Sequence, residues 1–408
     1  MESDARAAPE GEAGPALLEA SFTAVDRYLG LEPAPIRFAS FRGDLGALAR
    51  SFDGIEYPAL PWADACLPWN SIGPRPPARR RPAWLPARFP PSSDPPEYDP
   101  PVGGVSELLV ACEDGEGPTG RAYAVLDLLH DRRRRVYIDR NGARAAILSR
   151  VLEPRPAEPA RLLFETAALL ARGGWEASAD RIECPVPRDV STGEQRRLLA
   201  MVACGADPAR GFDWLLRIGF VGRYWPELAE LVAVEHAKEL HPEGDGWRHT
   251  METFAHRKAA DLTLSLALLL HDLGKPRASA ESGRRFDHHA EIGADLARRF
   301  LLRLGFPAAL AADVDFMVRR HMMPAAFARL PLYRTQETLE HPLAPLLLEL
   351  YRCDELSSFR GPDGYYEACA AYRAFLKNAR NPWRSADGRK KALRWLEDGG
   401  PSGRTRRG

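Results

Sequence analysis

The 408-residue sequence has few features of secreted, membrane-spanning or zinc-ribbon proteins. No stretch contains the roughly 18 consecutive apolar residues that a membrane-spanning helix requires, and the first residues lack the basic and apolar regions of a signal peptide. Its six cysteines are scattered without a Cys-x-x-Cys pair, which argues against a disulfide scaffold, a thioredoxin-type motif and a zinc ribbon. We therefore predict a cytoplasmic chain without a membrane partner.

The chain also lacks an excess of charge, since 56 lysines and arginines balance 56 aspartates and glutamates. A neutral chain has no global field that attracts polyanions, so a nucleic-acid partner would have to be held by a local basic patch. Two short arginine runs, Arg79–Arg81 and Arg132–Arg135, offer such patches, although short charge runs are usually solvated surfaces. Composition alone therefore identifies no partner.

Proline and histidine are both unevenly distributed. Of the 36 prolines, 14 fall between Pro58 and Pro101, and this density excludes a helix or a central strand because proline lacks an amide donor and fixes its own φ. Nine of the ten histidines lie between His236 and His341. Histidine is the commonest side-chain metal ligand and carries protons near neutral pH, so we expect a functional site in this second region.

Local patterns divide the chain into six segments. Helical spacing of apolar residues occurs at Leu17–Tyr28 and Phe41–Phe52, whereas Arg121–Leu129 and Val136–Asp139 have the composition of two strands. The predicted segments are an N-terminal segment (1–57), a proline-rich linker or insertion (58–104), a small α+β region (105–159), a first helical block (160–233), a second helical block (234–378) and a C-terminal helix with a tail (379–408).

The central motif is the pair His271-Asp272, which follows the apolar run Leu262–Leu270. That run has few polar positions, so we predict a helix buried nearly all round and ended by Gly274 and Pro276. A charge left unpaired at the end of a buried helix would cost several kcal/mol, and metal coordination is one usual remedy. The alternative for an isolated pair is a His-Asp hydrogen bond that docks the helix end.

Other ligand-type residues occupy helix ends or apolar faces within the same region. His249 begins a predicted helix, His289 shares a face with apolar residues at spacings of three and four, His321 ends an amphipathic segment, and Asp354 lies on the apolar face of a leucine-rich helix. Each residue alone is more typical of a satisfied core position or a solvated surface. Together with the His-Asp pair they predict a metal centre.

This order of residues resembles the HD superfamily of metal-dependent phosphohydrolases, and a longer string is similar to the HD domain of bacterial tRNA nucleotidyltransferases (CCA-adding enzymes, poly(A) polymerase family). The resemblance covers about residues 220–378 and extends weakly back to about 120. It implies a mainly α fold: a small degenerate α+β head, a helical neck (160–233) and an all-α HD domain (234–378). The matching motifs are Trp225–Leu228, His241–Asp245, His249-Thr250, His271–Lys275 and His289–Ala294.

The resemblance also implies a ligand set. It assigns four ligands to a first divalent ion, and Asp272 would in addition help to generate the attacking water. His289 and His321 match positions that hold a second ion in binuclear members, so one or two ions are expected. Imidazole and carboxylate ligands without a thiolate suit Mn²⁺, Fe²⁺, Ni²⁺, Co²⁺ or Mg²⁺. The four ligands to the first ion are His249, His271, Asp272 and Asp354.

Two basic residues are the predicted contacts to substrate phosphate. Lys275 follows the His-Asp pair and is also assigned to catalysis, and Arg320 precedes His321. The alternative is that both are solvated surface charges. In addition, His288 stands where the family usually has glycine.

The front half lacks the residues that nucleotidyl transfer requires. A transferase needs a Gly-Gly or Gly-Ser turn for triphosphate and paired carboxylates on a neighbouring strand for two Mg²⁺ ions, but no Asp-x-Asp follows Gly103-Gly104. The regularly spaced arginines of the next family helix are reduced to Arg161, since Phe164 and Ala167 occupy the following positions. We interpret residues 31–230 as a degenerate head and neck; the alternative is an unrelated α+β domain.

Three functions follow from these observations. The first is a metal-dependent phosphohydrolase that cleaves a phosphomonoester or phosphodiester of a nucleotide or an RNA end. The second is a tRNA nucleotidyltransferase-type RNA-processing enzyme, with tRNA as partner. The third is an RNA- or nucleotide-binding protein with a structural metal centre. The metal-ligand series favours the first.

Overall fold

A computed structural model describes most of the chain outside the proline-rich region and the termini. Several sequence predictions fall outside the described residues: the run Arg79–Arg81, the pair Gly103-Gly104, the motif around His241 and the tail from Gly399. Within the described ranges, no helix is long and apolar enough to cross a membrane. The described residues are 17–31, 34–58, 60, 63–68, 71, 107–113, 121–139, 141–234, 245–281, 288–358, 361–381 and 383–389.

A six-stranded mixed sheet forms the N-terminal part. Its strands are β1 (Leu17–Ala20), β2 (Ile36–Arg42), β3 (Ala65–Pro68), β4 (Glu107–Glu113), β5 (Leu128–Asp131) and β6 (Val136–Asp139). The spatial order is β3-β4-β2-β1-β5-β6, in which β2 and β4 pair in parallel and the other neighbours pair antiparallel. The strand from the proline-rich stretch, β3, lies at an edge, where proline is tolerated because it need not donate to a second neighbour.

The sheet joins segments that the sequence pattern separates. β1 and β2 come from residues 1–57, β3 from 58–104, and β4, β5 and β6 from 105–159. The predicted boundaries at 57 and 104 therefore do not separate structural units. Local periodicity shows where strands form but does not show which distant strands pair, so a common sheet could not be predicted from it.

Two local predictions are also corrected. The predicted helix Leu17–Tyr28 begins as β1, and helix starts only at Ser21. The predicted strand Arg121–Leu129 is mostly irregular, with a 3-10 turn at Ala124–Asp127 before β5. Short apolar runs fit a strand or a helix equally well, so the tertiary pairing decides.

The rest of the described chain is helical, which confirms the prediction of a mainly α fold with a small N-terminal α+β region. The helices are α1 (Ser21–Leu29), α2 (Leu45–Ser51), α3 (Ala143–Ser149), α4 (Pro159–Leu170), α5 (Thr192–Ala203), α6 (Pro208–Arg217), α7 (Phe220–Tyr224), α8 (Pro226–Ala229), α9 (Gly246–Ala255), α10 (Leu262–Leu270), α11 (Lys275–Glu281), α12 (His289–Arg303), α13 (Ala308–Arg320), α14 (Leu332–Glu340), α15 (Ala344–Leu356) and α16 (Asp363–Ala379).

One apolar core runs from the sheet through the neck into the C-terminal helices. It includes Phe22 beside the sheet, Phe164 on α4 and Leu268 on α10. A half-buried polar contact joins the sheet, the neck and the C-terminal helices as well. Arg196 on α5 pairs with Glu107 on β4 and also donates to the carbonyl oxygen of Gly305 at 3.0 Å. Both contacts fix the sheet relative to the helical domain.

Gly274 allows the turn after α10 to touch α12. A Cβ atom there would lie 2.0 Å from the carbonyl oxygen of His289 and 2.6 Å from the amide nitrogen of Gly293. Both neighbours are backbone atoms, so they cannot swing aside as a flexible side chain would. The glycine is therefore required for the close packing of α11 against α12.

We expect Gly274→Ala to destabilise the protein by about 3 kcal/mol, because the new methyl group must displace backbone. Gly222→Ala is the matched control, since a Cβ atom at Gly222 in α7 meets nothing within 4 Å. The control should change stability by less than about 1 kcal/mol, because alanine favours helix. Denaturant unfolding of both variants is the measurement, and equal stabilities would contradict the packing argument.

Candidate metal centre

The site is built around the end of α10. This helix is apolar on every side and is buried between α9, α13 and α15. Its last turn delivers His271 and Asp272, whose side chains are both 1% exposed. The backbone carbonyl of Asp272 accepts from the amide of Lys275 at 2.9 Å, which closes the turn into α11. A carboxylate is thereby placed in the interior of a helical domain.

Two neighbouring helices add ligand-type residues on one side of Asp272. His249 lies on α9, and its Nε2 is 3.0 Å from Oδ1 of Asp354 on α15 and 3.7 Å from Oδ2 of Asp272. The Nε2 atom of His271 is 3.3 Å from the same Oδ2 atom and 3.8 Å from Oδ1 of Asp354. Two imidazole nitrogens and two carboxylates therefore surround one small volume.

A second group lies on the other side of Asp272. His289, the first residue of α12, places its Nε2 3.8 Å from Oδ1 of Asp272 and 3.2 Å from Nε2 of His321. His321 is the residue that ends α13. Two clusters with metal-ligand spacing result, one of His249, His271 and Asp272 and one of Asp272, His289 and His321. Asp272 belongs to both.

Hydrogen bonds at Nδ1 fix which imidazole nitrogen carries the proton. The Nδ1 atoms of His271 and His321 lie 2.8 and 2.7 Å from the carbonyl oxygens of Leu268 and Val318. A carbonyl oxygen only accepts, so these Nδ1 atoms are protonated, and in the neutral imidazole Nε2 keeps its lone pair.

Ser357 performs the same role for His249. Its hydroxyl donates to the carbonyl oxygen of Asp354 at 2.7 Å, so its oxygen can accept from Nδ1 of His249, 3.3 Å away. If the imidazole is neutral, the Nε2 atom of His249 then faces a carboxylate oxygen with its lone pair. Two acceptors at this distance repel each other unless a cation lies between them, and a proton or a metal ion meets that need.

The electrostatics keep the carboxylates ionised and one imidazole neutral. Burial raises the pKa of Asp272, but His271 and Lys275 outweigh burial and hold this pKa well below its usual range. Burial also opposes ionisation of Asp354, and the hydrogen bond with His249 lowers its pKa. Burial and the neighbouring imidazoles lower the pKa of His321 to about 4, so this residue is neutral at pH 7.

These donors fit a divalent cation. The Nε2 atom of His271 is buried and has no hydrogen-bond partner in the described structure. Neutral imidazoles and ionised carboxylates are the protonation states that metal binding requires. The structure thus brings together all six residues predicted as ligands, and whether they bind a metal stays a prediction.

The two predicted phosphate contacts lie in different surroundings. Lys275 borders the site, and its Nζ is 2.6 Å from Oδ2 of Asp272. Arg320 instead pairs with Glu337 on α14 at 3.0 Å, and that glutamate is 81% exposed. Arg320 is therefore held at the surface beside α14, whereas Lys275 is part of the centre.

The backbone conformation at His288 explains why the family usually has glycine at this position. Its φ is 58°, in the left-handed region that favours glycine, and it immediately precedes α12. Its side chain is 73% exposed, and its Nδ1 lies 4.0 Å from Oε2 of Glu291. The family's glycine at this position is thus accounted for by backbone geometry, and His288 has no place in the centre.

A comparison with protein families identifies the domain that contains the ligand clusters. Residues 232–358 match the family model described as the HD domain. This part of the chain is an HD domain. It contains the residues that form both ligand clusters, and its match confirms the resemblance inferred from the sequence motifs.

The C-terminal region, which includes the HD domain, is homologous to tRNA nucleotidyltransferases. A CC-adding tRNA nucleotidyltransferase of Thermus thermophilus is 35% identical over 188 residues, which cover 44% of this chain and 43% of that protein. An A-adding tRNA nucleotidyltransferase of Deinococcus radiodurans is 36% identical over 168 residues, 38% of this chain and 37% of that protein. The matches thus span less than half the length of these relatives.

The comparison with solved structures found, among others, a tRNA-processing enzyme and a CCA-adding enzyme of Thermotoga maritima in complex with tRNA. The first has a TM-score of 0.38 at 13% identity and covers 90% of this chain and 88% of that chain. The second has a TM-score of 0.35 at 10% identity and covers 96% and 83%, respectively.

The two clusters predict how metal binding responds to single substitutions. If both are occupied, His249→Ala and His289→Ala should each reduce the bound metal by one ion, and Asp272→Ala should remove both, because only Asp272 is shared. His288→Asn is the control, since asparagine tolerates left-handed backbone. Elemental analysis of protein purified without chelators measures the stoichiometry. Full retention of metal by Asp272→Ala would contradict the assignment.

A second prediction concerns the pH dependence of stability without metal. Below pH 6.5 unfolded His321 binds a proton that the folded residue, with its pKa of about 4, does not, so stability falls as pH falls. Between pH 7.5 and 5 we expect a loss of about 2 kcal/mol from this residue. Denaturant unfolding in EDTA at both pH values should show a smaller loss for His321→Asn. An equal loss would contradict this origin.

Proposed function

We propose that this chain is an RNA-processing enzyme whose HD domain hydrolyses a phosphomonoester or phosphodiester of a nucleotide or an RNA end. The observation that supports hydrolysis best is the pair of ligand clusters that share the buried Asp272 and include four imidazoles. Homology of the C-terminal region to tRNA nucleotidyltransferases supports an RNA end as the substrate. Hydrolysis and the substrate are both proposals.

The residues that would hold the metal follow from the geometry. His249, His271, Asp272 and Asp354 would hold one divalent ion, and Asp272, His289 and His321 a second. When bound, a divalent ion neutralises phosphoryl oxygens and makes water a nucleophile at neutral pH. Mn²⁺, Fe²⁺, Ni²⁺, Co²⁺ and Mg²⁺ all suit this mixture of imidazole and carboxylate ligands.

The chain's own residues supply orientation and charge. Backbone carbonyls and Ser357 turn three imidazoles so that each Nε2 faces the centre, which removes the entropy cost of arranging them during the reaction. Lys275 is 12% exposed and can contact a phosphate at the border of the site while it stays close to Asp272. Its positive charge would stabilise the additional negative charge of a phosphoryl transition state.

Nucleotidyl transfer to tRNA is the second candidate function. The names of the relatives favour it over hydrolysis, since they describe CC-adding and A-adding tRNA nucleotidyltransferases. The described sheet gives it less support, because its carboxylates have other partners: Glu19 and Glu107 pair with arginines, and Asp139 caps α3. Among described residues, groups of three or more metal-ligand side chains occur in the HD domain alone.

The test is turnover by the full chain with Mn²⁺, Ni²⁺ or Mg²⁺. Substrates are bis-p-nitrophenyl phosphate, 2′,3′-cyclic nucleotides, nucleoside monophosphates and RNA ending in each type of phosphate. We expect Asp272→Asn to lower kcat by about 1000-fold and Lys275→Ala by about 10-fold, with His288→Asn unchanged. Lack of turnover with every substrate, or full activity of Asp272→Asn, would refute hydrolysis at this centre.

Labelled CTP and ATP with tRNA lacking its 3′ end form the second arm. Incorporation that survives Asp272→Asn would support transfer by another part of the chain. Tight tRNA binding without turnover in either arm, unchanged by EDTA, would instead support a binding protein with a structural metal centre.

A further inference from the structure

A second concentration of charge lies on one face of the N-terminal sheet, outside the HD domain. Glu19 on β1 is paired in register with His130 on β5, and His130 with Tyr137 on β6. Directly opposite residues of antiparallel strands point to the same side of a sheet. Glu19 is also opposite Ala39, two residues after Arg37 on β2, so Arg37 shares this side. Four adjacent strands therefore contribute to one surface.

Glu19 is completely buried and is surrounded by basic side chains. It pairs with Arg27 on α1, lies 2.9 Å from both Arg37 and His130, and lies 3.8 Å from Arg132. Although burial opposes its ionisation, these neighbours lower the pKa of Glu19, so it remains charged. One carboxylate faces three guanidinium groups, which leaves this group of residues with a positive charge. Arg27 and Arg132 are 43% and 32% exposed, so that charge reaches solvent.

Aromatic side chains lie among these cations. Tyr28 and Tyr137 pack edge to face with their ring centroids 5.2 Å apart, and Tyr137 also lies 4.6 Å from the His130 ring. The guanidinium carbon of Arg144 lies 5.8 Å from the centroid of the Tyr28 ring. Both tyrosines are half-buried, so each ring is held in place and still has surface accessible to a ligand.

The turn between β5 and β6 extends the positive surface. Arg133, Arg134 and Arg135 follow Arg132 directly and are all exposed. The nearby carboxylates are partly committed to the backbone: Asp131 accepts from the amides of Arg133 and Arg134 at 2.9 and 3.0 Å. Asp139 likewise accepts from the amides of Ala143 and Arg144. Seven arginines (Arg27, Arg37, Arg132–Arg135 and Arg144) outnumber three carboxylates (Glu19, Asp131 and Asp139) here, so the local charge is positive although the whole chain is neutral.

We propose that this surface binds single-stranded RNA. We name it the basic-aromatic face and define it by Arg27, Tyr28, Arg132–Arg135, Tyr137 and Arg144. Its arginines would hold successive phosphates and its tyrosines would stack on bases, the combination that single-strand binding uses. The inference does not depend on hydrolysis at the HD domain, because none of these residues belongs to either ligand cluster.

The chemistry of the face favours an RNA strand over other anions. An acidic polypeptide would pair with the arginines but would leave the tyrosines without a stacking partner. A free nucleotide would use one phosphate site and one ring, whereas the cations extend from Arg144 through Arg27 to the β5–β6 turn. Several phosphates and at least one base in a row match this extent best.

The experiment measures binding of a fluorescein-labelled 12-nucleotide RNA to the full chain by anisotropy, in EDTA so that the HD domain cannot hydrolyse it. Arg133→Glu/Arg134→Glu is the test variant, because both side chains are exposed and lie outside the buried contacts of Glu19. Arg298→Glu/Arg299→Glu on α12 makes the same charge change at an exposed surface of the HD domain and is the control.

We expect the test variant to weaken binding by about 10-fold and to reduce the salt slope of log Kd by about 1.4, for two lost phosphate contacts. Tyr137→Leu should weaken binding by about 5-fold or more with the salt slope unchanged, because stacking releases no counterions. Far-UV circular dichroism checks that each variant is folded.

Four results would overturn the proposal. The first is no RNA binding by the folded wild-type chain, and the second is an equal loss in the control variant. The third is displacement of the RNA by polyglutamate at equal charge concentration, which would indicate an acidic protein as partner. The fourth is equal affinity for uridine monophosphate, which would indicate a free nucleotide. Loss of turnover at the HD domain with RNA binding intact would leave this inference standing.

Discussion

The ionised carboxylate of Asp272 inside an apolar helix bundle is the constraint on which the HD domain depends. An isolated charge at that depth would be far too costly, so the surrounding helices must each bring a compensating group to the same point. α9, α12 and α13 do so with one imidazole each, and α11 contributes Lys275. Asp354 on α15 adds a second carboxylate, which increases the need for a cation. The apolar α10 and the close contact at Gly274 make this convergence possible. The helix packing that buries Asp272 therefore also brings these side chains to it.

The sequence was sufficient to predict the helical class, and local periodicity placed six ligand-type residues at helix ends or on apolar helix faces. Their role as ligands, which the resemblance to the HD superfamily implies, stays a prediction. It did not predict the groups that orient them. The carbonyl oxygens of Leu268 and Val318 are backbone atoms of the preceding turn, and every helix has such carbonyls, so no residue type marks them. Ser357 is three residues after Asp354 and could have been noticed from that spacing alone. The sequence position of Arg320 beside His321 likewise does not give the direction of its side chain, which pairs with Glu337. Its contact with a substrate phosphate stays a prediction.

The N-terminal part was predictable only in outline. Its strands are short and pair across long gaps, and one comes from the proline-rich stretch. The importance of Glu19 could not be seen, because its partners come from four separate elements. The run Arg132–Arg135 illustrates the same limit, because a run of charges does not show whether it forms a binding surface until the residues around it in space are known. Beside buried cations and ordered tyrosines, it becomes part of a defined surface.

The bridge made by Arg196 has a consequence for the geometry of the whole molecule. One guanidinium holds Glu107 of the sheet and the carbonyl of Gly305 in the HD domain, and Arg197 holds the same glutamate from the next position at 2.6 Å. A hinge between the two parts would have to break charge-assisted hydrogen bonds on a half-buried carboxylate, which are among the stronger contacts in proteins. These contacts therefore oppose any change in the distance between the sheet and the metal centre. An RNA strand that reached both would have to span that distance.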